Sequence, residues 1–278
     1  MGTKQPKVLI IILNYGTFDL TLKLVKQIQN DLEYDNYSIM VIDNCSPNES
    51  AKVLKDKSKK MNYIFYENRT NTGYAAGNNI GIRYGIEHNF DYSWVLNNDV
   101  EVNEKNVLSH MVDIINQREN IGCIGPRVYN LNGEICAPYV KRPTFWSMTF
   151  GIVAEKAYRK KYITTSSEVY RVYGCCMLLK NKAMAEVGGM DERTFLYGEE
   201  NILAERLLAK SYITFYDAEI SVTHRESTSM KKMIKKRRNL QIKESIKSRE
   251  LYLKEYRHFS MLERWLCHIV RSTVMFIR

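Results

Sequence analysis

The chain has 278 residues, 45% of them hydrophobic and 26% charged, so it can bury the core of one large domain with an appendage. Residues 230–278 carry fourteen Lys and Arg against four Asp and Glu, which equals the net charge of +10, whereas residues 1–229 carry 27 of each kind. A nucleic-acid-binding domain would spread basic and aromatic residues over a folded face, which argues against that class. The composition predicts a neutral domain, residues 1–229, and a basic tail, residues 230–278.

Neither the cysteines nor the first strand indicates export. The six cysteines include no Cys-x-x-Cys pair, and we interpret them as reduced cytosolic thiols rather than disulfides or a structural metal site. The first apolar run, Val8–Leu13, has only six residues, too few for a signal peptide or a membrane span. These features predict a cytoplasmic protein.

Strands alternate with amphipathic helices through the first half of the chain. The predicted strands are Val8–Leu13, Ser38–Ile42, Tyr63–Tyr66, Trp94–Leu96 and Ile121–Pro126. Helices are predicted from about Thr17, through Ala51 and Leu54, and from about Glu104 to Gln117. This alternation predicts right-handed crossovers and an α/β fold with a mostly parallel central sheet flanked by helices. Because each strand ends in polar residues, a ligand site is expected at the carboxyl edge of the sheet.

The strand that contains Trp94 ends abruptly in two amides and a carboxylate, Asn97, Asn98 and Asp99. These side chains cannot continue the burial of the strand without partners, so they are expected to emerge at the edge. Such oxygen atoms are suited to Mg²⁺ or Mn²⁺ shared with a substrate phosphate. The alternative is an Asn-rich turn that caps the next helix.

Glycines recur at every fourth residue after the third strand, at Gly73, Gly77 and Gly81. Small residues let either a ligand or a neighbouring helix approach the backbone, and both explanations are open. The spacing is not the Gly-x-Gly-x-x-Gly fingerprint, and the turn after the first strand reads Asn14-Tyr15-Gly16 instead. A nicotinamide-dependent oxidoreductase is therefore disfavoured.

Seven short segments, taken in their order along the chain, resemble the motifs of family 2 glycosyltransferases, particularly the rhamnosyltransferase-like branch. The resemblance extends over about residues 7–229 and rests on Ile12–Tyr15, Val41–Asn44, Asn71–Asn79, Leu96–Asp99, Gly174–Leu178, Gly188–Glu192 and Phe195–Glu200. It implies a GT-A nucleotide-diphospho-sugar transferase fold.

The resemblance assigns donor-binding roles to residues at the strand ends. It places Asn14 and Tyr15 near the nucleotide, and it gives Asp43 a hydrogen bond from the base or ribose. The residues implied to line the nucleotide-sugar cleft are Asn71, Gly73 and Asn78. The implied donor is a dTDP- or UDP-sugar.

The resemblance also identifies Asn97–Asp99 with the Asp-x-Asp motif that holds a divalent cation, Mn²⁺ or Mg²⁺, and the donor diphosphate. Asn97 replaces the first Asp, so Asp99 is the single carboxylate of the motif, and Asn97 and Asn98 are assigned to the donor. His224 follows the strand-like stretch Ile220–Thr223. It is either a structural histidine or, as the resemblance implies, a ligand of the metal or diphosphate.

Two adjacent acids, Glu199 and Glu200, fall in the first turn of a helix whose predicted apolar face is Leu203, Leu207 and Leu208. Negative charge there complements the helix dipole, so the pair could simply cap the helix. The resemblance instead makes Glu200 the general base and Glu199 the acid before it. It places Asp191 in a loop over the acceptor sugar, as a binding residue.

The basic tail allows two interpretations. The cluster Lys231–Arg238 and the apolar face Leu262–Ile277 could hold the protein on an anionic membrane, because the apolar stretch Trp265–Ile277 is too short to span a bilayer. Alternatively, helices of the tail pack on the enzyme or on a second subunit. Residues 138–172 show no clear periodicity, and we expect acceptor specificity there without naming a residue.

These observations predict an inverting glycosyltransferase that moves a hexose, with L-rhamnose as the predicted sugar, to a hydroxyl of a growing, lipid-linked surface polysaccharide. Its predicted location is the inner face of the cytoplasmic membrane, no nucleic-acid partner is expected, and oligomerisation is left open. The alternative is a nucleic-acid- or membrane-binding protein that uses the basic tail and has a non-catalytic α/β domain.

Overall fold

The computed structural model describes residues 5–150, 164–225 and 242–276. The Lys-rich stretch 155–162 and the basic cluster Lys231–Arg238 therefore lie outside the described residues. Side chains are described up to residue 270.

The first half of the chain alternates strands and helices as predicted. Its elements are β1 Val8–Asn14, α1 Phe18–Asp31, β2 Tyr37–Asp43, α2 Ser50–Ser58, β3 Ile64–Glu67, α3 Gly73–Glu87, β4 Tyr92–Asn97, β5 Val100–Val102 and α4 Val107–Gln117. The later elements are β6 Ile121–Tyr129, β7 Ile135–Cys136, α5 Phe145–Phe150, β8 Ser167–Val169, β9 Cys176–Lys180, α6 Asn181–Val187, α7 Glu199–Leu208 and β10 Ile213–His224. Residues 242–251 form helix α8, which continues into a π-helical turn at Tyr252–Tyr256, and α9 is Met261–Phe276.

One sheet contains all the described strands, in the order β3-β2-β1-β4-β9-β6-β10-β5, with β7 and β8 beside β6 and β10. Strands β3, β2, β1 and β4 are parallel, whereas β9 is antiparallel to both β4 and β6. The predicted α/β fold with a central sheet is confirmed, and the part beyond β4 is mixed. Asn14 pairs with Asp43, and Leu13 pairs with Asn97, so the polar ends of three strands meet at one edge.

Helices cover both faces of the sheet, because its central strands are apolar on both sides. On β1, Val8, Ile10 and Ile12 point into one core with α1 and α4, while Leu9 and Ile11 point into a second core with α3. All five are fully buried, and each such side chain contributes about 1.5–3 kcal/mol by leaving water.

The spaced glycines of α3 serve close packing against β1. A Cβ at Gly77 would lie 2.8 Å from Leu13, and a Cβ at Gly81 would lie 2.8 Å from Ile11, which is too close for either residue to carry a side chain. Of the two explanations open from the sequence, contact with a neighbouring element applies at these two positions, and the element is a strand rather than a helix.

The C-terminal segment packs one face on the rest of the protein. Tyr252, Leu253 and Cys267 are buried in a small apolar cluster with Ile202 of α7. The helix α7 therefore uses Ile202, Leu203 and Leu207 as its buried face, whereas Leu208, predicted to be part of it, is 40% exposed at the helix end. The domain boundary at residue 229 stays a prediction.

A buried carboxylate, Glu205, also ties this segment to α7. Glu205 is 5% exposed and accepts hydrogen bonds from Arg142 Nε at 3.0 Å and from the Tyr170 hydroxyl at 2.8 Å. Arg257 of the C-terminal segment lies 3.5 Å from the same carboxylate. A buried charge needs such partners, so the cations of two segments hold the end of α7 in place.

Candidate active site

The carboxyl ends of β1 and β2 form a buried polar cluster around Asp43, which is fully buried. Asn14 Nδ2 donates to Asp43 Oδ1 at 2.7 Å, and the backbone N–H of Ser46 donates to Asp43 Oδ2 at 2.9 Å. The Ser46 hydroxyl donates to Oδ1 at 2.6 Å. Asp43 thus orders the loop after β2, and Oδ2 keeps capacity to accept a further hydrogen bond. Tyr15, next to Asn14, is half-buried at this edge.

The turn before α3 is held by Asn44, a residue that the sequence reasoning did not single out. Its amide donates to Asn71 Oδ1 at 3.1 Å and to the carbonyl of Gly73 at 3.0 Å. Gly73 has φ +83°, and a Cβ there would overlap the backbone of Phe195. Gly73 is therefore required both by its left-handed backbone and by the approach of the loop before α7.

The first turns of α3 carry two asparagines with different surroundings. Asn78 is fully buried, and its amide donates to the carbonyl of Tyr74 at 3.0 Å. Asn78 Oδ1 has no hydrogen-bond partner among the described residues. Asn79 exchanges two hydrogen bonds of 2.9 Å with the backbone of Met190 and so fixes the turn that leads to Asp191.

The three polar residues at the end of β4 differ in what they contact. Asn98 Nδ2 donates to Thr17 Oγ1 at 2.8 Å and to Thr21 Oγ1 at 2.9 Å, so its amide nitrogen faces α1. Asn97 is half-buried, and its backbone N–H donates to the carbonyl of Cys175 at 2.9 Å. The sheet edge thus positions this turn from both sides.

Asp99 and His224 lie side by side although 125 positions separate them in the numbering. β10 pairs antiparallel with β5, and this pairing sets His224 opposite Val100. As a result, His224 Nε2 lies 3.1 Å from Asp99 Oδ1, and the two side chains are 12% and 14% exposed. The backbone N–H of Arg225 donates to the carbonyl of Asp99 at 2.8 Å. The structure thus brings together the two residues assigned to the metal.

This pair fits a divalent cation only in part. Among the described residues, no three His, Cys, Asp or Glu side chains converge into a metal-binding group. Mg²⁺ and similar ions commonly use one or two protein ligands and complete their coordination with substrate phosphates and water. Asp99 and His224 meet that requirement, because they are partly exposed and supply one carboxylate and one imidazole.

Helix α7 carries the two acids, Glu199 and Glu200, in its first turn. Tyr197 and Gly198 have φ +69° and +89°, and this left-handed turn starts the helix at Glu199. A Cβ at Gly174 would overlap the carboxylate of Glu200, so Gly174 makes room for that side chain. Gly174 lies in the motif segment Gly174–Leu178, for which the sequence predicted no role of this glycine.

The loop at Gly174 and Cys175 connects the two halves of the site. Burial raises the pKa of the Cys175 thiol well above its usual range, and the neighbouring Cys176, Asp99 and Glu200 raise it further. The Tyr74 hydroxyl donates to the carbonyl of Gly174 at 2.6 Å. The backbone N–H of Asn97 donates to the carbonyl of Cys175, and Gly174 makes room for Glu200, so this loop lies beside both the end of β4 and the acid pair.

Glu199 is a buried acid. It is 5% exposed, and its Oε2 has no hydrogen-bond partner among the described residues. Burial raises the pKa of Glu199 from 4.5 to about 8, and the charge of Glu200 adds to the effect. Near neutral pH the protonated form of Glu199 is therefore favoured.

The Glu199→Gln substitution is expected to stabilise the protein increasingly as pH rises. Between pH 4.5 and about 8, the folded state binds more protons at Glu199 than the unfolded state does, so the free energy of unfolding of the wild type falls with pH. Gln does not titrate. The advantage of the variant should grow by more than ~1.4 kcal/mol, the equivalent of one pKa unit, in urea unfolding at pH 5 and pH 8.

Glu192→Gln provides a control with the opposite sign. Hydrogen bonds from Arg83 and then Asn79 lower the pKa of Glu192, so this carboxylate stabilises the fold above its unfolded pKa and loses that contribution on acidification. The variant should be less stable than the wild type near pH 7 and approach it at lower pH. A parallel response of both variants would contradict the interpretation of Glu199.

Asp191 is engaged by partners within the chain. Arg193 donates to both carboxylate oxygens, and the Tyr256 hydroxyl donates to Oδ2 at 2.5 Å. Burial would raise the pKa of Asp191, but these hydrogen bonds outweigh it and lower the pKa to about 2. Asp191 therefore joins the loop before α7 to the C-terminal segment, and its contact with an acceptor stays a prediction. Tyr256 carried no motif that could have identified it.

A parallel half-sheet with a polar carboxyl edge, followed by the antiparallel β9, gives this protein a GT-A fold. The same architecture occurs in the mannosyltransferase PcManGT from Pyrobaculum calidifontis, solved with GDP-Man and Mn²⁺, with a TM-score of 0.61 at 11% identity over 97% of this chain and 74% of that chain. The chain belongs to glycosyl transferase family 2, whose family model matches residues 8–188. The predicted family is confirmed.

Two relatives of established function are similar to this chain. The low-salt glycan biosynthesis hexosyltransferase Agl10 of Haloferax volcanii is 28% identical over 192 residues, which cover 69% of this chain and 58% of the relative. The N-acetylglucosaminyl-diphospho-decaprenol L-rhamnosyltransferase of Mycobacterium tuberculosis is 25% identical over 152 residues, covering 50% of this chain and 48% of the relative. The chain thus spans about half the length of these relatives.

Proposed function

We propose that this protein is an inverting, metal-dependent hexosyltransferase that uses a nucleotide-diphosphate sugar as donor. The observation that carries the proposal is that the Asp99–His224 pair and Glu200 both lie near the loop Tyr173–Cys175: the Tyr173 and His224 rings are 5.9 Å apart, and Gly174 makes room for Glu200. This arrangement supports the proposal, in which Asp99 and His224 are the metal ligands and Glu200 is the general base.

Asp99 and His224 would hold Mn²⁺ or Mg²⁺ together with the donor diphosphate. The cation, when bound, supplies Lewis-acid stabilisation of the charge that develops on the leaving diphosphate. Glu200 accepts the proton of the acceptor hydroxyl as the oxygen of that hydroxyl attacks the anomeric carbon. The bond from that carbon to the diphosphate oxygen breaks, and the nucleoside diphosphate leaves. A single displacement with no protein nucleophile inverts the anomeric configuration.

We further propose L-rhamnose as the transferred hexose, dTDP or UDP as its carrier, and a lipid-linked glycan as the acceptor. The names of the two relatives support this: one is a hexosyltransferase of glycan biosynthesis, and the other transfers L-rhamnose to a sugar on a diphospho-decaprenol. An acceptor of that kind places the enzyme at the inner face of the cytoplasmic membrane. None of the helices in the described ranges is long and apolar enough to cross a bilayer.

A panel of nucleotide sugars tests the proposal directly. The purified protein is expected to release nucleoside diphosphate from dTDP- or UDP-rhamnose in the presence of Mn²⁺, with faster release when a lipid-linked saccharide is added. EDTA should stop the release. Thermal stabilisation by nucleoside diphosphate with Mn²⁺ reports donor binding independently. Release of diphosphate from none of the donors, together with no thermal shift, would contradict the proposal.

A further inference from the structure

Two helices outside the candidate active site expose large apolar side chains. Trp146 is 69% exposed and Phe150 is 57% exposed on α5, while Trp265 is 57% exposed on α9. We use the name aromatic surface for these residues together with Met261, Leu262 and Ile269, which are also exposed. Clustered exposure of this kind marks an interaction site more often than scattered apolar residues do.

The two helices lie against each other. Thr149 Oγ1 of α5 lies 3.1 Å from Cys267 Sγ of α9. Trp146 and Phe150 are one helical turn apart, with their rings stacked at 5.9 Å. Trp265 and Ile269 occupy the positions two residues before and after Cys267. At about 100° per residue, both therefore lie on the face of α9 that points away from Cys267, so α5 and α9 each carry an exposed apolar face.

The sequence next to these helices is strongly basic. Residues 155–161, which begin five positions after Phe150, contain four Lys and Arg and one Glu, and residues 231–238, which end just before α8, contain six Lys and Arg and no acid. These charges favour an anionic partner and disfavour a second copy of the same surface, because like charges repel.

The C-terminal segment, which carries part of the aromatic surface, also contacts elements of the candidate active site. Cys267 shares an apolar cluster with Ile202, which is two residues after Glu200. Tyr256, between α8 and α9, donates to Asp191. A partner on the aromatic surface would therefore contact the elements that support Glu200 and the Asp191 loop.

We propose that the aromatic surface docks the enzyme on an anionic lipid bilayer, with α5 and α9 lying in the headgroup region. Tryptophan side chains are enriched at that depth of a membrane, and amphipathic helices with basic neighbours bind there without crossing. The inference rests on the proposed function only in its purpose, which is to bring a lipid-linked acceptor toward Glu200. It adds α5, with Trp146 and Phe150, to the membrane contact predicted for the tail.

The three tryptophans allow a direct test, because Trp94 is fully buried and Trp146 and Trp265 are exposed. Trp265→Phe leaves Trp146 as the exposed reporter, and Trp146→Phe leaves Trp265. Phosphatidylcholine vesicles containing phosphatidylglycerol should shift the emission of both full-length variants to shorter wavelength, and brominated lipids should quench it. Vesicles of phosphatidylcholine alone should have little effect, and salt should weaken the response.

Vesicle co-sedimentation gives a second measurement with a matched control. Replacing both Trp146 and Trp265 with Ser should weaken binding to the anionic vesicles at least about tenfold. Leu131→Ser removes an apolar side chain of similar exposure, 55%, from the turn between β6 and β7, and it should leave binding unchanged.

Three results would overturn the proposal: vesicle binding without a change in emission, a response of Trp265 alone, or a shift that depends on protein concentration without vesicles, which would indicate a second copy as the occupant. Diphosphate release from soluble donor is measured in the same preparations. Loss of that release with normal vesicle binding would contradict the proposed function and leave the docking surface standing.

Discussion

Replacing Glu200 with Gln is expected to lower turnover by roughly 10²-fold or more, as for loss of a general base. Gln has nearly the same shape, so it fits beside Gly174 and leaves α7 in place. It cannot take the proton of the acceptor hydroxyl. Turnover is measured from diphosphate release with acceptor present, and the affinity for nucleoside diphosphate, measured by calorimetry, should be unchanged.

Two substitutions show whether that loss is specific to Glu200. Glu219→Gln changes a side chain that is 74% exposed on β10 and should leave turnover unaffected. Glu199→Gln should lose less activity than Glu200→Gln, because the raised pKa of Glu199 leaves it mostly protonated near neutral pH and so without a free site for the acceptor proton. An equal fall in donor affinity and turnover in Glu200→Gln would instead make Glu200 a binding or structural residue.

Asp99→Ala is expected to abolish the dependence of donor binding on Mn²⁺ and to lower transfer on the order of 10²-fold or more, since a bound cation contributes several kcal/mol of charge stabilisation. Asp99 is the carboxylate of its motif, and its side chain is partly exposed beside His224, so the fold should be retained. Affinity for nucleoside diphosphate with and without Mn²⁺ measures the effect, and circular dichroism checks the fold.

Neighbouring variants provide the comparison. Glu101→Gln removes a carboxylate two residues away that forms an ion pair with Arg225, and it should keep the response to Mn²⁺. His224→Ala should weaken that response in the same direction as Asp99→Ala. Near-normal turnover of Asp99→Ala at limiting Mn²⁺ would show that the metal assignment is wrong.

Local sequence was sufficient to predict the parallel half of the sheet and its polar edge. The run Val8–Ile12 has no polar residue, and such a run is stable as a strand only where both faces are covered. The residues after it and after β2 and β4 are polar, and parallel strands bring such ends together. The order of these segments along the chain was also enough to predict the family, which the match over residues 8–188 confirms.

The sequence does not predict contacts between side chains that are far apart along the chain. Nothing near Asn98 in the sequence indicates that its amide nitrogen faces Thr17 and Thr21. Likewise, the sequence alone predicts that Asp191 is available to bind the acceptor sugar, whereas in the structure its carboxylate accepts hydrogen bonds from Arg193 and Tyr256. Side-chain partners of this kind depend on how loops pack, and loop packing leaves no periodic signal.

Hydrophobic periodicity and the polar ends of the strands are local properties, so the order of amino acids alone predicts the strands and helices of the first half of the chain and the polar edge of its sheet. Only the tertiary structure places His224 beside Asp99, because the antiparallel pairing of β10 with β5 sets that distance. The tertiary structure also shows which side of the C-terminal helix α9 packs on the protein and which side stays exposed. Cys267 is buried against Ile202, while Trp265, on the other side of the same helix, remains exposed.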